Sequence, residues 1–186
     1  MRIIINADDC GYNEFVNEHI KAAINKGKVS STTIMANMEG VDGAFALYEE
    51  FHNKVSFGVH LNITEGSPIL KSKLLIDKGF YHVVDGEIFF DPIKAESYRF
   101  KTMPQNMRDE VYKEFRAQIE ALIKGGVKIS HIDSHHHIHT SVSMMGIVKQ
   151  LSDDYGIKKI RRIRNYVPKS ISYFGKKRRR ANECQL

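Results

Sequence analysis

The sequence predicts an α/β fold, a TIM-like (β/α) barrel of parallel strands, and three observations carry that expectation. Short β-branched runs alternate with stretches whose apolar residues recur every three or four positions. Three of the runs lead into Asp or His: residues 3–5 precede Asp8 and Asp9, residues 55–59 precede His60, and residues 127–129 precede HIDSHHHIH at 131–139. No phosphate loop of the GxGxxG or GxxxxGKS/T type follows any strand. Repeated βα units give a parallel sheet with right-handed crossovers, and functional groups gather at its strand C-termini. Without a nucleotide loop, a barrel with its site at the top is the better reading.

Each element follows in order. Residues 2–7 (RIIINA) are short and β-branched, the pattern of a buried strand. Residues 13–26 read as a helix with Val16, Ile20, Ala23 and Ile24 on one face, Asn13 as N-cap and Gly27 as C-cap. Residues 30–36 (SSTTIMA) are a second strand, 41–51 a helix, and 55–63 a third strand running through GVHLNI. Residues 66–103 carry Gly and Pro punctuation, the aromatics Phe80, Tyr81, Phe89 and Phe90, and no clean period, which reads as a lid-like insertion. Pro104 opens a long helix whose buried face is Met107, Val111, Phe115, Ile119 and Leu122, and Gly125-Gly126 ends it. Residues 127–134 are a strand, 142–155 a helix and 159–167 a last strand. The domain is thus expected to span 1–167, with a basic, flexible tail over 168–186.

Composition narrows the class. At 186 residues, 42% hydrophobic and 27% charged, the chain has the make-up of one ordinary globular domain. No apolar stretch approaches the ~18–20 residues of a membrane span, and the N-terminus does not resemble a secretory signal, so a cytoplasmic protein is expected. Cys10 and Cys184 show no paired spacing, which argues against a disulfide framework. Cys10 follows two aspartates that would raise its thiol pKa, so it is a poor soft ligand. Of a net charge of +6, Lys176, Lys177, Arg178, Arg179 and Arg180 supply five. The basic character belongs to the tail, and no nucleic-acid or membrane partner is expected.

The histidines carry the chemistry. Five of nine fall within 131–139, and imidazole is the commonest metal ligand. On a strand, alternation puts His131, Asp133 and His135 on one face, while the adjacent Asp8 and Asp9 point apart. One carboxylate can then bind a metal while the other acts as a base. One carboxylate with two imidazoles leaves coordination positions open for water and substrate, the arrangement of a hydrolytic rather than a structural site. Each residue also has a bland reading: Asp8-Asp9 as a turn, His60 as a hydrogen-bonded core histidine, Asn62 and Thr64 as packing or turn residues, and His131 with Asp133 as a self-satisfied pair.

NADDCGYN (6–13), STTIMAN (31–37), GVHLNITEG (58–66) and HIDSHHHIH (131–139), in this order, resemble the leading motifs of the YdjC-like carbohydrate deacetylases, also called ChbG-type chitooligosaccharide deacetylases. The resemblance implies a distorted (β/α) barrel that removes acetyl groups from N-acetylated sugars or oligosaccharides. By motif position it implies a metal on Asp9, His60 and His135, with Asp8 as general base. Asn62, Asp133, His136, His137 and His139 then contact substrate or back the ligands. The family is commonly described with Mg2+, whereas two imidazoles favour Zn2+ or another transition metal. The resemblance runs to about residue 167; family members continue with further βα units and a late motif whose histidine is the expected general acid, and residues 168–186 contain no histidine. The barrel is therefore expected to be incomplete at its C-terminus, and its exposed edges to pair in a homodimer. The rival readings are a chain that binds metal or sugar without turnover, and another barrel hydrolase using the same ligands.

Overall fold

The structure is a computed structural model that describes residues 3–162. In chain order its elements are β1 (Asn6–Cys10), α1 (Glu14–Asn25), β2 (Ser31–Ile34), α2 (Val41–Phe51), β3 (Ser56–Leu61), α3 (Lys73–Asp77), β4 (Tyr81–Val84), β5 (Glu87–Phe90), α4 (Pro92–Ser97), α5 (Gln105–Lys124), β6 (Ile132–Ser134), a 3-10 turn (His135–Thr140) and α6 (Val142–Asp154). A four-stranded parallel sheet runs in the order β1-β2-β3-β6, and β4-β5 form a separate antiparallel hairpin. An isolated parallel bridge joins Ile132 to Ile160, the start of a fifth position in the sheet. The sheet does not close among the described residues: β1 has a neighbour on one side only.

The sheet has an apolar and a polar side because side chains alternate along its strands. Ile34, Phe57, Val59, Leu61 and Ile132 are buried in the main core with Ile20, Ile24, Leu47, Val111, Phe115 and Leu151 from the helices. Ser31, Thr33, His60, His131 and Asp133 bond to one another on the other side. Gly58 sits within this polar layer for a steric reason: a Cβ there would lie 2.6 Å from the His131 ring.

The helices agree with the sequence reading. Asn13 caps α1 by accepting from the Val16 N–H, and Gly27 takes the left-handed conformation just past its end (φ 63°). All five residues assigned to the α5 face are buried. Three strand expectations need correction. The first strand starts at Asn6, where pairing with Ser31 begins, and Ile3, Ile4 and Ile5 are exposed rather than buried. Only Ile132–Ser134 of the expected 127–134 strand has strand geometry, although Ser130 N–H still reaches the Phe57 carbonyl. Of the expected strand 159–167, the bridge at Ile160 is seen, and residues from 163 onward, the basic tail included, lie outside the described residues.

The insertion 66–103 has structure that its irregular pattern hides. Asp85-Gly86, both at positive φ, turn the β4-β5 hairpin, and a two-residue Asp-Gly loop is a strong hairpin signal. Phe80, Tyr81, Phe90 and Ala95 bury themselves beneath it, so the segment packs onto the domain rather than hanging from it. No helix among the described residues is long and apolar enough to cross a membrane.

Candidate metal centre

Three strand ends meet on the polar side of the sheet. β1 delivers Asp9 through a bulge: its register with β2 shifts between Ala7 and Cys10, and Asp9 stands in the left-handed region (φ 66°). A bulge re-aims a side chain, and a left-handed aspartate persists only where the surroundings hold it. β3 delivers His60 from mid-sheet, flanked by β2 and β6. β6 delivers Asp133 and then stops, so His135 opens a 3-10 turn in which His136 and His137 are both left-handed (φ 51° and 56°).

Asp9 Oδ1 lies 2.8 Å from His135 Nδ1 and 3.0 Å from His60 Nε2. One ligand atom from each of the three residues falls within 4.8 Å of the others. Behind His60, Nδ1 meets Asp133 Oδ1 at 2.6 Å and Thr33 Oγ1 at 3.1 Å. The imidazole of His60 is therefore held from the rear and offers Nε2 to the site. Asp8 joins the same network from its far end. Arg161 Nη1 donates to both Asp8 oxygens, at 2.7 and 2.8 Å, and to Asp133 Oδ2 at 3.1 Å, while Asn6 Nδ2 donates to Asp8 Oδ1 at 2.7 Å. Neighbouring strand residues should point apart, but here the bulge at Asp9 lets both carboxylates serve one cluster.

The charges are strongly coupled. Hydrogen bonds from His135 and then His60 hold the Asp9 carboxyl well below the usual carboxylate range. Burial opposes a charge on His60, yet its bonds to Asp133 and Asp9 prevail and raise its pKa to about 9. Burial likewise opposes charge on His135, and the bond to Asp9 again raises it. A divalent cation would replace those protons, and the donor set fits one. Two imidazoles and a carboxylate converge, with His60 Nε2 and His135 Nδ1 both turned to Asp9 Oδ1, a donor set suited to a divalent ion with open positions.

The remaining expected residues divide by their partners. Asp133 is fully buried behind His60. Asn62 is buried with its side chain spent on the loop that follows β3: Oδ1 accepts from the N–H groups of Thr64 and Glu65, and Nδ2 donates to the Glu65 carbonyl. His139 is buried between Ser134 Oγ, 2.5 Å from its Nδ1, and the Arg161 carbonyl, 3.0 Å from its Nε2. His136 is exposed, 3.8 Å from Glu65 Oε1, and His137 keeps a buried Nδ1 without a partner. Cys10 lies in the core, where burial pushes its thiol up to about 12, and it has no part in the cluster. Four residues of the centre escape sequence reasoning, among them Asn6 and Thr33, which brace Asp8 and His60. Glu65 sits inside the GVHLNITEG motif, where its carboxylate is a usable signal; Arg161 sits alone in a basic stretch and offers none.

The chain matches the family described as YdjC-like protein over residues 2–185. It is 36% identical over 157 residues to a carbohydrate deacetylase of Brevibacillus brevis, covering 84% of this chain and 58% of that protein. A carbohydrate deacetylase of Halalkalibacterium halodurans is 35% identical, with 84% and 62% covered. A crystal structure of an Enterococcus faecalis V583 protein, provisionally assigned to cellobiose-phosphate cleavage, superposes with a TM-score of 0.71 at 29% identity, over 92% of this chain and 62% of that one. The chain thus spans about 60% of the length of the relatives it matches. Its sequence match and the gathering of its Asp and His motifs at one sheet end agree, and the chain belongs to the YdjC-like protein family.

Proposed function

We propose that the protein is a metal-dependent carbohydrate deacetylase that hydrolyses the N-acetyl group of acetylated amino sugars or chitooligosaccharides. The observation that carries this reading is the convergence of Asp9, His60 and His135 from three strand ends, in a family whose relatives include carbohydrate deacetylases. Asp9, His60 and His135 hold the ion, Mg2+ by family resemblance and Zn2+ or another transition metal by ligand type. A divalent ion there supplies Lewis acidity towards an amide carbonyl and an attacking water. Asp8 is the general base for that water, with Arg161 and Asn6 aiming its carboxylate. Asp133 and Thr33 keep the His60 ring in one tautomer. His136 and His137, at the open end, contact the sugar, while Asn62 and His139 build the loop and turn around it. The insertion 66–103 covers the substrate.

The test is acetate release from diacetylchitobiose by metal-reconstituted protein, run beside elemental analysis. The cellobiose-phosphate assignment of the Enterococcus neighbour makes a phosphorylated N-acetylated disaccharide a sensible second substrate. Acetate with about one metal per chain supports the assignment. His135→Ala should lose the metal, and Asp8→Asn should keep it and lose turnover. Bound metal without acetate from any acetamido sugar would favour the second reading, a sugar-binding or metal-binding chain without turnover. We further propose that the protein is cytoplasmic and forms a homodimer, the dimer supported by the β1 edge, one-sided among the described residues, and the exposed Ile3, Ile4 and Ile5 beside it. Light scattering showing a monomer at micromolar concentration would overturn the dimer.

A further inference from the structure

The second nitrogen of a metal-binding imidazole needs a partner, because that partner sets the ring's tautomer and angle. His60 has one in Asp133. His135 turns Nδ1 towards Asp9, and its outward Nε2 is buried without a hydrogen bond. The group facing that nitrogen is Glu65, whose Oε1 is 3.3 Å away.

Glu65 is anchored with unusual thoroughness for a loop residue. Its N–H donates to Asn62 Oδ1 and its carbonyl accepts from Asn62 Nδ2 and Asn37 Nδ2. Asn62 is in turn clamped by Gln118 of α5, whose amide accepts from the Asn62 N–H at 2.9 Å and donates to the Asn62 carbonyl at 2.6 Å. Gln118 is fully buried, and Glu114, one turn earlier, accepts from the Ile69 and Leu70 N–H groups. Buried polar side chains of a core helix thus fix the backbone from which the Glu65 carboxylate reaches His135.

We propose that Glu65 is a positioning residue for His135: with Nδ1 on the metal, Nε2–H donates to Glu65, and the chain Gln118–Asn62–Glu65 holds that acceptor in place. The proposal rests on the metal reading above. Its atoms admit one competitor, a second cation held by Glu65, His135 and His136.

Calorimetric Zn2+ titration of wild type, Glu65→Gln, Gln118→Met and His135→Ala separates the cases, with the imidazole NMR spectrum of the Zn2+-loaded protein as a readout that simple destabilisation would not move. Glu65→Gln should bind Zn2+ about 10- to 100-fold more weakly, the usual loss when such a partner goes. The metal-free protein should keep its Tm, and the downfield His135 Nε2–H resonance should shift or disappear. Gln118→Met should weaken binding in the same direction and add little to Glu65→Gln, because both act through one carboxylate. Unchanged affinity in Glu65→Gln, with binding lost in His135→Ala, overturns the role of Glu65 alone. Unchanged affinity in His135→Ala overturns the metal reading and the proposal together. Two Zn2+ per chain in wild type, falling to one in Glu65→Gln, overturns the positioning role in favour of the second cation.

Discussion

His60 and His135 face the same carboxylate but are held in opposite ways. His60 stands inside β3 with a hydrogen-bonded strand on either side, and its rear partner Asp133 comes from the adjoining strand in register with it. His135 opens a turn whose next two residues are left-handed, and the carboxylate facing it comes from a loop. The first half of the centre is made by folding the sheet. The second half is made by side-chain braces laid over it. Damage to the strand-borne half should therefore appear as lost stability, and damage to the turn-borne half as lost binding.

The largest effect that would test this contrast is Asp133→Leu. Asp133 is fully buried and compensates both His60 and Arg161, so its loss removes the only carboxylate at His60 Nδ1 and leaves Arg161 with Asp8 alone. Breaking a buried pair from one side costs about 3–5 kcal/mol, to be read from urea unfolding of chelator-treated protein. Asp9→Asn touches the same His60, but Asp9 is 38% exposed. It should cost no more than about 1 kcal/mol while metal binding collapses. Equal stability losses in the two variants would erase the distinction between the halves.

Next in size is a pH effect confined to the metal-free protein. The folded pKa of His60, about 9, lies above its ordinary value of 6.5. A raised pKa means that the folded state holds the proton more tightly. The stabilisation is therefore complete below pH 6.5 and is lost as pH climbs towards 9. Asp9 acts at the other end: its depressed pKa contributes stability that is present above the ordinary carboxylate range and fades as pH falls through it. Chelator-treated protein should lose stability as pH rises from 6.5 to about 9, and saturating Zn2+ should flatten the slope. A flat profile without metal would mean that Asp133 does not hold a proton on His60.

The same contrast explains what the sequence discloses. His60 and Asp133 lie in β-branched runs where a period of two assigns a face, and the α5 stripe from Met107 to Leu122 is equally periodic. The face each presents is set by its own strand, although the contact between them joins residues 73 apart. The other half depends on events without a period. The bulge that turns Asp9 inward, the left-handed step after His135 and the Gln118–Asn62 clamp each depend on partners distant in sequence. Arg161, 153 residues from Asp8, leaves no trace in any local pattern. The apolar run at 3–5 misleads for a related reason. It looks like a buried strand, but the ladder with β2 starts only at Asn6, and no neighbour among the described residues covers the outer edge. The hairpin at 85–86 has a local signal in its Asp-Gly pair, but it stands inside a segment whose lack of period hides it.

The smallest effect sharpens the comparison most, because its sign is unusual. His136 carries a left-handed backbone (φ 51°) with an exposed side chain, and its contact with Glu65 is long, at 3.8 Å. Holding an L-residue there costs about 1–2 kcal/mol, and glycine removes that strain while giving back about 0.5–1 kcal/mol of unfolded-chain entropy. His136→Gly should thus stabilise the protein by roughly 0.5–1 kcal/mol, a rise of about 1–4 °C in Tm for a domain of this size. His136→Val, β-branched in the same conformation, should lower the Tm. A turn that tolerates removal of its histidine and grows more stable is one whose strain is kept for the sake of the site. If His136→Gly instead lowers the Tm, the turn is held by that side chain. The braces over the sheet would then begin at His136 rather than at Glu65.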